Sequence, residues 1–260
     1  MHARGIIGPS GAADGAGPLV VLPTYDEARN LPSLLPEILA AVPGLQVLVV
    51  DDGSPDGTAA GVRQAALPGV HLLERPGKRG LGSAYRDGWK WALARGHDPV
   101  LTMDADWSHH PRHLPDLLAS LHCGADLAIG SRYVPGGGIA RWPLHRRALS
   151  KGANWLSRAL LRLPVRDATS GFRAYRAHVL RAIDPDRVRA EGYSFLEETL
   201  WLACSAGFRC AETPILFEDR RQDRSKISRT EIAKGAWTLV RLRCTPRPQL
   251  ATGTRRRGAL

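Results

Sequence analysis

The feature that most constrains this chain is a rhythm of short apolar runs. Leu19–Leu22, Val47–Val50, Val70–Leu73, Val100–Met103 and Leu127–Ile129 alternate with amphipathic stretches of helical length. Runs this short, bounded by turn residues, read as strands, and strand-helix-strand repetition builds a mostly parallel α/β sheet flanked by helices. The spacing predicts helices over roughly Glu27–Ala41, Thr58–Ala66, Gly80–Ala94 and Pro111–Leu121, with Asp56-Gly57-Thr58 as turn and cap before the second. A chain of 260 residues that is 43% hydrophobic can bury a substantial core around such a sheet.

In sheets of this kind, ligands collect at the carboxyl ends of the strands. The sequence places its polar clusters there: Pro23-Thr24-Tyr25-Asp26-Glu27 after the first run, Asp51-Asp52-Gly53-Ser54 after the second and Asp104-Ala105-Asp106 after the fourth. Two carboxylates one residue apart at a strand end can grip a hard divalent cation together with a diphosphate, or can cap the helix that begins at Pro111. In the second cluster a carboxylate can accept hydrogen bonds from a base or ribose, or the segment is a strand-to-helix turn. In the first, Tyr25 and Glu27 suit a nucleotide, while Asp26 suits a helix cap.

The excess of 36 Lys and Arg over 25 Asp and Glu, a formal charge of +11, calls for an anionic partner: nucleic acid, anionic membrane or a phosphorylated substrate. Cys123, Cys204, Cys210 and Cys244 are scattered without a C-x-x-C pair, so neither a zinc site nor a disulfide framework is indicated, and a reducing cytosol fits. No window reaches the roughly 18–20 consecutive apolar residues of a membrane span. Contact with membrane would therefore come from the surface. The Gly- and Ala-rich residues 1–17 read as a loose extension.

Past Tyr133 the rhythm changes. Pro135-Gly136-Gly137-Gly138 reads as a loop, and Pro143–Leu161 as a helix that sets Arg146, Arg147, Lys151, Arg158 and Arg162 beside Leu149, Trp155, Leu156 and Leu160. That face is both basic and greasy. Gly192–Cys204 looks helical, Ala211–Phe217 extended, and Glu231–Arg243 helical with Trp237, ahead of the basic Arg255-Arg256-Arg257.

In their order and spacing, P-T-Y-D-E, V-D-D-G-S-P-D-G-T, G-K-R-G-L-G-S-A-Y, D-A-D-W-S-H-H-P and G-S-R-Y-V resemble the polyprenol- or dolichol-phosphate mannose synthase family, over about Leu19 to Ser228. The resemblance implies an inverting, metal-dependent transferase of the GT-A (Rossmann-like) fold. It places the catalytic domain at 18–230 and a C-terminal amphipathic helix with basic tail at 231–260. Carried over residue by residue, it implies that Pro23, Tyr25, Glu27 and Asp52 contact the guanosine of GDP-mannose. Asp104, Ala105 and Asp106 surround the diphosphate and a Mg2+ or Mn2+ ion, with Ser108 as a further metal contact. Arg132, Arg146 and Ser150 match contacts to the phosphate of a polyprenyl lipid; their plain alternative is a solvated basic helix face. Arg220 and Lys226 match an arginine and a lysine that reach the donor diphosphate. Asp106, Arg132 and Arg220 are the implied catalytic residues.

The pattern is not complete. Asp223 stands where the family usually has Gly, Leu196 where Gln commonly precedes the glutamate matched by Glu198, and Asp26 where Asn is more frequent. Thr169-Ser170-Gly171-Phe172-Arg173 resembles the family's turn that shapes the pocket. Relatives append transmembrane helices or recruit a separate membrane subunit. Here the helices at Pro143–Leu161 and Glu231–Arg243 would lie in the lipid interface on the cytoplasmic face, or pack ordinarily on the domain. Two rival functions use other partners: a UDP-glucose or other hexose donor on the same fold, or nucleic acid. The charges lack an aromatic-studded sheet or recognition-helix signature, which argues against nucleic acid.

Overall fold

The computed structural model of the chain describes residues 16–192, 194–218 and 229–246, with the backbone alone for 229–234. Five strands form where the apolar runs lie: β1 (Leu19–Thr24), β2 (Gln46–Asp51), β3 (Val70–Glu74), β4 (Val100–Thr102) and β5 (Leu127–Ser131). They alternate with α1 (Leu31–Ala41), α2 (Thr58–Ala65), α3 (Leu81–Ala94) and α4 (Leu114–His122), the last preceded by a 3-10 turn at Pro111–His113. After β5 come β6 (Gly138–Ile139), α5 (Leu144–Leu161), β7 (Arg173–Tyr175), α6 (Ala177–Ile183), α7 (Ser194–Ser205), β8 (Cys210–Pro214), β9 (Leu216–Phe217) and α8 (Arg229–Cys244).

Seven strands make one sheet in the order β3-β2-β1-β4-β7-β5-β8, and β6 pairs with β9 beside it. Pairing is parallel throughout the sheet except at β7, which runs antiparallel to both β4 and β5. The sequence offered no sign of β7: three residues that begin with an arginine do not read as an apolar run. The register carries Leu19, Val21, Leu48, Val50 and Ile129 into the core under α3, α6 and α7, and Val20, Leu22, Val47, Val49 and Ala128 into the core under α1 and α4. Alternate residues of one strand thus enter opposite cores, because successive side chains leave a strand on opposite faces. Both sets are buried, so the strands read as continuous apolar runs.

The chain winds outward from β1 to β2 and β3, then returns to place β4 on the other side of β1, parallel to it. The crevice at this reversal is where an open α/β sheet offers a binding site. Two expected boundaries shift. The first helix begins at Leu31, four residues after the expected start. Asp26 does not cap it: Asp26 sits at φ 63°, in the left-handed region that Asp and Asn tolerate better than most residues. The expected break after residue 230 falls in the first turn of α8, whose Leu239 and Leu242 join the core. Of the expected extension, residues 1–15 lie outside the described ones, while the Ala16 carbonyl accepts from the Asp98 amide at 3.3 Å.

Helix α3 approaches the sheet through Gly88. A Cβ there would stand 2.4 Å from Val21 Cγ1 and 3.3 Å from Val50 Cγ2, and both are stiff β-branched side chains in fully buried strands. Gly88→Ala should therefore destabilise the protein by about 1–3 kcal/mol, despite the roughly 1 kcal/mol advantage of alanine in a helix. Urea unfolding checks the sign.

Candidate active site

The loops after β1 and β2 are fastened to each other. The amides of Asp26, Glu27 and Ala28 donate to Ser54 Oγ at 3.0 Å, Thr58 Oγ1 at 3.0 Å and Asp56 Oδ2 at 2.9 Å. Asp51 joins the strand ends, accepting from Thr24 Oγ1 and the Ser54 amide at 3.0 Å each. Asp52 is 5% exposed and turned toward Arg75, while its other oxygen accepts from the amides of Arg79 at 3.0 Å and Gly80 at 2.9 Å. Gly53, at φ 69°, lets this segment come close: a Cβ would meet Gly77 Cα at 2.9 Å. The expected nucleoside contacts Pro23, Tyr25, Glu27 and Asp52 are thus brought to one edge, with Asp52 inside an ion pair that orders residues 75–80. Lys78 of that segment stands 3.8 Å from the centroid of the Tyr25 ring, a cation-π contact that sequence reading did not single out.

Asp104, Ala105 and Asp106 follow β4, next to the β1 loop. Neither carboxylate caps the following helical turn, which His110 caps through the Arg112 amide. Asp106 Oδ1 instead accepts from the Ser108 amide at 3.0 Å, tightening its own turn. The Asp104 amide donates to His109 Nδ1 at 3.1 Å, which leaves the imidazole proton on Nε2. Burial holds the His109 pKa below the usual histidine value, outweighing the opposing pull of Asp104 and Asp106, so the ring is a neutral prop. Its Nδ1 is committed to that amide and is not available to a metal. Among the described residues no cluster of three or more His, Cys, Asp or Glu forms a metal cage. Two carboxylates nevertheless suit Mg2+ or Mn2+, which take their remaining ligands from a diphosphate and water. Ser108 lies in the same turn and is 2% exposed.

The cationic side is built around Arg132 at the end of β5. Its amide and Nε both reach Asp167 Oδ2, at 3.0 and 2.7 Å, and one terminal nitrogen reaches Asp167 Oδ1 at 2.6 Å and Thr169 Oγ1 at 2.7 Å. Asn154 of α5 locks this loop, accepting from the Ala168 amide at 2.7 Å and donating to Thr169 Oγ1 at 3.0 Å. Ser150, one turn earlier, accepts from the Tyr133 hydroxyl at 2.8 Å. Arg146 packs over Trp142 at 4.0 Å, and Arg132 stands 5.9 Å from the same ring. The three expected acceptor contacts therefore converge. Of the partners that hold them, Thr169 belongs to the turn singled out in the sequence, while Asp167, Asn154 and Trp142 were missed, because nothing in sequence spacing tells a buried polar lock from a surface one.

An aromatic chain joins the two sides. His109 stacks on Phe172 at 4.9 Å and meets Phe217 edge-on at 5.5 Å, and Phe217 meets Trp142 edge-on at 5.2 Å. Behind it, the fully buried Arg173 holds the carbonyls of Ala168, Ser170 and Leu196 at 2.7–2.8 Å. The T-S-G-F-R segment thus lies beside the strand-end carboxylates: a Cβ on Gly171 would meet Leu196 Cδ1 at 3.6 Å and Asp104 Oδ1 at 3.8 Å. Arg220, Asp223 and Lys226 lie outside the described residues.

Residues 19–184 match the sequence profile of glycosyl transferase family 2. The chain is 46% identical over 225 residues to the polyprenol monophosphomannose synthase of Mycolicibacterium smegmatis, covering 85% of each chain. It is also 46% identical over 212 residues to the undecaprenyl-phosphate mannosyltransferase of Micrococcus luteus, covering 81% of this chain and 87% of that one. Among solved structures, glucosyl-3-phosphoglycerate synthase from Mycobacterium tuberculosis, in complex with Mn2+, uridine diphosphate and glucosyl-3-phosphoglycerate, shares the fold. It has a TM-score of 0.65 at 22% identity, over 89% of this chain and 81% of that one.

Burial alone would raise the Asp167 pKa, but the charge and hydrogen bonds of Arg132 outweigh it and hold the carboxyl below the usual aspartate range. Asp167→Asn leaves Arg132 buried without its counter-charge and should cost about 3–5 kcal/mol at neutral pH. A carboxyl with a depressed folded pKa stabilises above its unfolded value and loses that contribution as pH falls through the folded one. The gap between wild type and variant should therefore persist to about pH 4 and close below it, as read by urea unfolding across pH.

Proposed function

The chain belongs to glycosyl transferase family 2, and from that premise we propose that it transfers mannose from GDP-mannose to a polyprenyl monophosphate, inverting the anomeric carbon. The observation that carries this reading is the placement of two poles a few side chains apart. A carboxylate pair suited to a metal diphosphate faces the buried Arg132 and the half-buried Arg146, suited to a phosphate, and the His109-Phe217-Trp142 chain spans between them. The 46% identity to two enzymes named for lipid-phosphate mannose transfer supports the lipid acceptor and the sugar.

In this reading Pro23, Tyr25, Glu27 and Asp52 receive the guanosine, and Asp104, Ala105 and Asp106 face the diphosphate. Mg2+ or Mn2+ bound at Asp104 and Asp106, with Ser108 as a further oxygen contact, would supply neutralisation of charge on the departing diphosphate. Arg220 and Lys226 are assigned to that diphosphate as well. Arg132, Arg146 and Ser150 align the acceptor phosphate, for which a planar guanidinium fork is well shaped. A phosphate monoester has its second pKa near about 6, so an acceptor oxygen is already ionised at neutral pH and needs no strong general base. That oxygen bonds to the anomeric carbon as the bond from that carbon to the diphosphate oxygen breaks, and GDP leaves. Alignment and charge stabilisation carry the rate.

Access to a lipid is supported by the inverted amphipathicity of α5. Its buried residues are Asn154, Ser157 and Leu161, while Leu144, Leu149 and Trp155 are exposed at 81%, 58% and 68%. Trp237 and Val240 of α8 are exposed likewise. No helix among the described residues is long and apolar enough to cross a membrane. We assign these helices to the headgroup region of a membrane, on its cytoplasmic face, docking directly or beside a separate membrane subunit.

Transfer of label from GDP-mannose to polyprenyl phosphate should require a divalent cation and stop with a chelator. Asp106→Ala should lower transfer at least about 100-fold while the protein stays folded by circular dichroism. Full activity in that variant, or preference for UDP-glucose in a donor panel, overturns the site or the sugar respectively.

A further inference from the structure

Next to the acceptor contacts, α5 borders an open cavity of about 740 Å3, walled by Arg147, Lys151 and Arg158 of the helix and by Arg166 of the loop after it. Arg132 and Tyr133 close its inner end, and Ile139 and Trp155 give it apolar wall. No Asp or Glu among the described residues lines it. Among the described residues, no side chain of Arg147, Lys151, Arg158 or Arg166 forms an ion pair, although the Arg166 amide donates to Glu212 at 2.7 Å, whereas the Arg132 side chain is already matched by Asp167.

Left alone, this arrangement works against the helix. Arg147 and Lys151 are four residues apart on one face, where like charges repel, and α5 contains no acidic residue to offset them. Arg146 and Arg147 also stand in the first turn, where the helix dipole disfavours cations. Such a row is stabilised when an anion occupies the cavity. Trp155, 68% exposed, lines the same cavity from the helix and leads outward from it. An anion carried on a hydrocarbon anchor satisfies both the cations and the apolar surface, which a free phosphate or a nucleic acid backbone does not.

We propose that this cavity is a second lipid site, which takes the phosphate headgroup of an anionic glycerophospholipid and holds the acceptor side of the protein against the bilayer. The site shares Arg132 with the acceptor contacts, leaves Arg146 and Ser150 to them, and rests on the membrane reading given above. Lys151 and Arg158, both exposed and outside the acceptor set, are the residues to change.

The test uses the full chain. Vesicles of phosphatidylcholine with 30% phosphatidylglycerol should recruit it, and pure phosphatidylcholine vesicles should not. Short-chain dihexanoyl phosphatidylglycerol should bind saturably, at least tenfold tighter than inorganic phosphate. The double variant Lys151→Gln/Arg158→Gln should lose about 30-fold in vesicle affinity, from about 1 kcal/mol per basic residue near an anionic surface. It should keep its melting temperature and its transfer to polyprenyl phosphate in detergent micelles. A control pair, Arg181→Gln/Arg187→Gln, removes equal charge elsewhere and should lose much less. Equal loss in the control, equal binding to zwitterionic vesicles, or preference for inorganic phosphate or duplex DNA over the lipid overturns the proposal. So does parallel loss of micellar transfer in the double variant, which would give the cavity to the acceptor. A wild-type protein inactive in micelles yet recruited by anionic vesicles would sink the enzymatic reading alone.

Discussion

The parallel pairing of β1 with β2 on one side and β4 on the other is the constraint on which the site depends. It points the carboxyl ends of three strands the same way, so the loops carrying Tyr25, Asp52 and Asp104 have no choice but to meet. Those strands are buried on both faces, and the apolar area they remove from water is a large part of what holds the fold together. Hydrogen bonds then sharpen the meeting. Asp51, Asp52 and Asp56 are used mainly to tie one loop to the next.

A different economy governs the other half of the molecule. Arg132 and Asp167 form a buried ion pair, and burying charge is tolerable only because every contact is well made: two bonds to one carboxylate oxygen, one to the other and a threonine hydroxyl beside them. Asn154 and Ser157 turn inward from α5 to serve such networks, and the leucines and tryptophan of that helix are left outside. The aromatic chain from Phe172 to Trp142 connects this cationic shelf with the strand-end carboxylates. One continuous run of side chains therefore links carboxylates at one end with arginines at the other.

Much of this was legible in advance. Strands β1, β2, β4 and β5 announced themselves because a strand buried on both faces must be apolar at nearly every position, β3 by a shorter apolar run at the sheet edge, and the helices between them by their periodicity. The acidic clusters were legible from their position directly after apolar runs. Strand β7 was not, since Arg173 gains its place from carbonyls contributed by residues up to 23 positions away. The surroundings of Asp52 were legible only in outline: its sequence neighbours gave the loop, and Arg75, distant in sequence, took its carboxylate. Asp26 read as a helix cap because Asp commonly caps; the positive φ that it adopts is set by the loop it faces.

By itself, then, the sequence determined the layered α/β fold, the edge at which ligands gather and the family to which the chain belongs, because hydrophobic period and local motif spacing are properties of neighbours along the chain. Tertiary structure alone decided which charges are matched and which stay available. Asp167 neutralises Arg132 from 35 residues away, whereas Lys151 and Arg158 face a cavity in which no acid appears among the described residues. Both kinds of cation look alike in a sequence, because electrostatic partnership depends on distance through space.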